Sequence, residues 1–161
     1  MERRDRIGHW EVDTIVGAGH RGVVVTCVER RSRYLVTRRL DRKTAPATAA
    51  ALVDALRHHD GEKLQTMTFD NGLEFALFEE VERRLNLTGY FADPYSSWQR
   101  GTNENTNGLL RQYIPKGMDL TDLKDHELES YTRKLNNRPR KCLNYRTPAE
   151  VYHQRSVALQ M

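Results

Sequence analysis

Three carboxylates in this 161-residue chain stand where acids could do chemistry: Asp13, Asp70 and Glu104. Asp13 lies in the middle of an alternating run, HWEVDTIV. Asp70 closes a short apolar run, LQTMTF, just before Asn71-Gly72. Glu104 is the single acid of TNENTNGLLRQY, a stretch of helical length that opens with Asn and Gly, both poor helix formers. An acid inside a central strand is costly unless it is paired, hydrogen-bonded or metal-bound. An acid at the C-terminal end of a strand faces the crevice in which open α/β sheets bind ligands. Acids that converge on one crevice repel, and a divalent cation with oxygen ligands, typically Mg²⁺ with Mn²⁺ as its substitute, relieves that repulsion. Two such ions about 4 Å apart would hold the attacking and leaving oxygens of a phosphodiester.

Each acid also has a plain structural reading. Asp70 suits a turn, Asp13 could pair with Arg6 or with an arginine of the third strand, and Glu104 suits the start of a helix. Glu11 shares the face of Asp13 and is the rival ligand; it reads as a supporting residue or the partner of a base. His9, on the same face, reads as structural. Trp98, in the loop Ser96–Arg100, reads as a buried anchor, with contact to DNA or to a partner subunit as the alternative.

The elements that must position these acids follow from periodicity. In residues 9–16, Trp10, Val12, Thr14 and Val16 face one way and His9, Glu11, Asp13 and Ile15 the other. VVVTCVE, residues 23–29, reads as a strand covered on both faces, and YLVTRRL as a third strand. Thr44 caps a helix over 45–59 with Pro46 in its first turn. A strand at 64–69, a helix marked by Phe75, Phe78, Val81 and Leu85, and a strand at 88–92 come next. A helix over 102–113 and one over about 122–135 follow. A last short helix starts at the capping box Thr147–Glu150. The order βββαβαβααα predicts one domain over 1–161, an α/β fold. Its mixed five-stranded sheet has three antiparallel strands, then two parallel ones joined by right-handed crossovers, with helices on both faces.

Composition bounds the partners. Hydrophobic residues make up 38% and charged residues 30%, the proportions of a globular domain. No apolar run reaches the roughly 20 residues of a membrane helix, so no membrane role is expected. Cys27 and Cys142 lie far apart, which points to free thiols in a reducing cytoplasm. The net charge is +4, with Lys and Arg concentrated at 30–43, 111–116 and 133–146, and it permits an anionic partner such as nucleic acid.

WEVDTI, TFDNGLEF and WQRGTNENTNGLLRQYIPKG, in this order, resemble the three motifs of the DDE transposase and retroviral integrase superfamily, above all its bacterial insertion-sequence branch. The 33 residues between Asp70 and Glu104 fit it, as does the tail NNRPRKCLNYRTPAEVY. The resemblance runs from about Gly8 to Tyr152. It implies a ribonuclease-H-like fold, with Asp13, Asp70 and Glu104 as a Mg²⁺-binding triad that hydrolyses DNA at element ends and transfers the 3′-OH into target DNA. It also implies Arg111, Asn107 and Lys116 as DNA-facing residues, assembly as a dimer or larger homo-oligomer, and a bacterial cytoplasmic setting. Arg111 follows Glu104 by seven residues, two helical turns, and so shares its face. Such transposases carry a helix-turn-helix region upstream. Only a short charged stretch precedes the first strand here, so the chain reads as an excised catalytic core or a truncated copy. A related nuclease without strand transfer, and an inactive DNA-binding or dimerisation module, are the alternatives.

Overall fold

The computed structural model describes residues 6–93 and 101–153. Five strands form one sheet in the order β3-β2-β1-β4-β5: β1 (His9–Val16), β2 (Val23–Glu29), β3 (Leu35–Leu40), β4 (Thr66–Phe69) and β5 (Thr88–Phe91). The first three run antiparallel, and β4 and β5 join parallel to β1 and to each other. This is the expected mixed sheet. Its alternation is the reason β1 sits centrally: Trp10 and Val12 enter one apolar cluster while Ile15 enters the other. Every residue of β2 is buried, as a strand covered on both faces must be.

Helices cover both faces. α1 (Ala45–Leu56), α2 (Phe78–Leu85) and α5 (Pro148–Tyr152) pack their apolar sides with Trp10, Val12, Met67 and Phe69. On the other face, α3 (Gly101–Leu110) and α4 (Asp125–Asn136) bring Leu110, Leu128 and Leu135 against Ile15, Val24 and Leu35. The caps are those the sequence calls for. Thr44 Oγ1 accepts the Ala47 N–H at 3.3 Å, and Thr147 with Glu150 closes a capping box.

Several boundaries differ from the sequence reading. α1 stops at Leu56, before the polar run Arg57-His58-His59-Asp60. Phe75 belongs to a short 3₁₀ turn ahead of α2. α3 ends at Leu110 rather than at 113, because Pro115 offers no N–H and disfavours a helical residue before it. α4 begins at Asp125, where the Glu127 carboxylate accepts the Lys124 N–H at 3.2 Å. Among the described residues no helix is long and apolar enough to cross a membrane.

Candidate active site

β1 and β4 are paired in parallel through Glu11 and Thr68. That is the last pair of the ladder: Asp13 comes two residues further along, still inside β1, and Asp70 two residues past Thr68, just beyond the end of β4. Asp13 is half-buried. Its Oδ1 accepts the Thr14 N–H at 2.8 Å, and its Oδ2 accepts from Asn107 Nδ2 at 3.1 Å. The third-strand arginines are engaged elsewhere, Arg38 with Asp54 and Arg39 with Asp41. Asp70 Oδ1 accepts the Gly72 N–H at 2.7 Å, so it is a turn residue as well as a strand-end acid.

Glu104 lies on α3, and the start of α3 is fastened by buried polar groups. Glu11 Oε2 pairs with Arg30 Nε at 3.0 Å, both side chains almost fully buried. Its Oε1 accepts the Asn103 N–H at 3.2 Å, and the Asn103 side chain donates to the Glu11 carbonyl at 3.0 Å. Arg33 reaches Thr102 Oγ1. This explains why a polar, Asn-rich sequence forms a helix here. Tertiary hydrogen bonds supply what propensity does not, and Glu11 and Asn103 are the contact itself. Glu104, the next residue, is exposed. Asn107, one turn on, ties α3 to Asp13, and its Oδ1 is buried without a partner.

Arg111 is half-buried and donates from Nη1 to the Ile114 carbonyl at 3.4 Å; Lys116 is exposed beside Gly117. His9 is structural, its Nδ1 lying 2.7 Å from Thr66 Oγ1. Trp98 lies outside the described residues.

Two participants escape the sequence reading. Arg30 was hidden within a basic turn, although Glu11 was open to a basic partner. Glu74, four residues after Asp70, is buried, with Oε1 at 3.3 Å from both Thr14 Oγ1 and Lys43 Nζ. Its place in DNGLEF was the available signal.

Among the described residues no group of three or more His, Cys, Asp or Glu side chains forms a ready metal cluster. The donor chemistry nevertheless suits a hard cation: the carboxylates of Asp13 on β1 and Asp70 just past β4, an exposed Glu104 on α3, and the amide oxygen of Asn107, the residue bonded to Asp13, buried without a partner.

Comparison with known proteins converges on one family. The model described as "Integrase core domain" matches residues 3–97. Over 96% of its length the chain is 45% identical to the transposase for insertion sequence element IS4351 of Bacteroides fragilis. Over 99% it is 42% identical to transposase InsI for IS30C of Escherichia coli. It spans 47% and 41% of those two proteins, under half of each. The fold matches the simian T-cell lymphotropic virus intasome, at a TM-score of 0.75, 21% identity and coverage of 95% of this chain and 57% of that one. It also matches the catalytic core of BIV integrase, at a TM-score of 0.71, 18% identity and coverage of 95% and 98%. The sheet is thus the integrase catalytic-core sheet, of ribonuclease-H type, and the chain belongs to the integrase core domain family, among relatives that are insertion-sequence transposases.

Proposed function

We propose that this chain is the catalytic domain of a bacterial DNA transposase that cleaves element ends and joins the freed 3′-OH to target DNA. The observation that carries the reading is that Asp13 and Asp70 each follow by two residues the last pair, Glu11–Thr68, of the parallel strands β1 and β4, with α3 bonded to β1 at Glu11 and Asp13. Asp13, Asp70 and Glu104 would hold a divalent cation, Mg²⁺ or Mn²⁺. Bound there, it would supply Lewis-acid activation of the attacking oxygen and offset charge on the phosphodiester. In the first step water attacks phosphorus and the bond to the 3′-oxygen breaks. In the second, that 3′-OH attacks a target phosphodiester and displaces the target's 3′-oxygen. Arg111 and Lys116 would contact DNA phosphates. Asn107 holds Asp13 and would face the DNA beside it. Two ends act together, so the working form is a homo-oligomer, in the bacterial cytoplasm.

The test is nicking and joining of DNA carrying insertion-sequence ends, with Mg²⁺ or Mn²⁺. Glu104→Gln and Asp70→Asn should each cut the rate to below about a hundredth. Wild-type activity in either variant would refute the triad. Nicks without joined products would make the protein a nuclease. DNA binding with no metal-dependent cleavage would make it a binding module.

A further inference from the structure

The Asp70 turn holds a fourth carboxylate that the triad does not use. Glu74 is 6% exposed, and an acid so buried is costly unless compensated. The compensation is one-sided. Oε1 takes both the Lys43 ammonium and the Thr14 hydroxyl, each at 3.3 Å, while Oε2 accepts nothing from the described residues. The second oxygen is instead aimed at Gly72. A Cβ on Gly72 would sit 2.3 Å from Glu74 Oε2 and 2.8 Å from Asp70 Oδ1, so the two acids crowd one point that only glycine leaves open. Thr14 in turn follows Asp13 and donates its own N–H to the Asp13 carboxylate. One side chain therefore touches the turn that carries Asp70 and the residue that holds Asp13.

We propose that Glu74 is a positioning residue for the metal centre: anchored by Lys43 and Thr14, it buttresses Asp70 from the α1 side and sets the centre's affinity for its divalent cation. The inference rests on the proposed metal-binding triad. A carboxylate beside Asp70 adds negative charge next to the proposed site, so a cation gains more by binding. The Thr14 bond fixes the approach of the two strand ends.

The test is thermal unfolding of the whole chain across a Mn²⁺ titration, beside Mn²⁺-dependent nicking. Glu74→Gln keeps the shape and removes the charge. It should raise the Mn²⁺ concentration for half-maximal stabilisation about tenfold or more. Nicking should need the same excess and recover at saturation. If Glu74→Gln does not fold, Thr14→Val, which deletes only the hydroxyl contact, should move the midpoint the same way. An unchanged midpoint with a lower melting temperature in the absence of metal would overturn the inference and leave Glu74 as a loop anchor. Asp70→Asn separates the two readings. If it abolishes the Mn²⁺ response, the triad stands whatever Glu74 does. If the response persists undiminished, or wild type shows none, the metal-centre reading falls and the role of Glu74 with it.

Discussion

At the scale of single residues, Glu11 shows how a polar side chain in a core is kept. It was the rival ligand to Asp13, and the structure gives its oxygens to Arg30 and to the Asn103 N–H. Burial pulls the Arg30 pKa below the usual guanidinium range. Such a pair adds little over a well-packed apolar one, yet removing one partner strands the other. Glu11→Ala should therefore cost about 3–5 kcal/mol in denaturant unfolding. Replacing both Glu11 and Arg30 by Met should cost less than Glu11→Ala alone. A double variant as unstable as the sum of its singles would show no coupling between Glu11 and Arg30 and would refute the pair as the cause of the loss. The loss should also reach the site, because Asn103 is the residue before Glu104.

At the scale of elements, the β3 edge shows what the chain uses its tail motif for. Asn136, at the end of α4, accepts the Leu35 N–H at 2.8 Å and donates to the Leu35 carbonyl at 2.9 Å. It thus acts as one more strand residue on an otherwise open edge. Asn136→Ala leaves both buried backbone groups bare and should cost about 2 kcal/mol or more, read as a lower denaturant midpoint with an unchanged slope. Asn136→Asp keeps only the acceptor and should fall below wild type as well. The sheet was legible because β1 alternates and β2 is apolar throughout, so local pattern and burial agree. The places of Asp13 inside β1 and of Asp70 at the end of β4 were legible for the same reason. α3 was legible only as a question. Its N-terminal residues are helical because Glu11, Arg33 and Asp13 bond them, and those partners come from distant strands. Asn136 and Glu74 were illegible on the same ground, since their roles depend on which backbone or hydroxyl the fold brings within 3.5 Å.

At the scale of the molecule, α5 returns the end of the chain to its beginning. Tyr152 stacks on Tyr34 at 4.3 Å, meets Trp10 edge-on, and lies with its hydroxyl 2.6 Å from His59 Nδ1. Burial, then the nearby charges of His153 and Lys63, lowers the His59 pKa. The unfolded chain then binds a proton near pH 6.5 that the folded chain resists. Stability from neutral His59 is whole above that pH and declines as pH falls below it. Melting temperature should drop between pH 7.5 and 5.5, and His59→Gln should flatten that drop; an equally steep drop in the variant would clear His59 of the effect. Cys27 offers a probe of the whole fold. It sits on the interior strand β2, inside the larger cluster, and burial pushes its thiol up to about 12, whereas Cys142 is exposed. Only a thiolate in contact with solvent reacts readily. At pH 8 one thiol per chain should react with an aromatic disulfide at the rate of a free cysteine. The second should react through opening alone. Because β2 is paired on both edges and covered on both faces, no small local opening frees it, so its labelling rate should rise with denaturant at the slope of global unfolding. A Cys27 rate indifferent to denaturant would mean that β2 separates from its neighbours in a partial opening, and that the two clusters on either face of the sheet do not unfold as one unit.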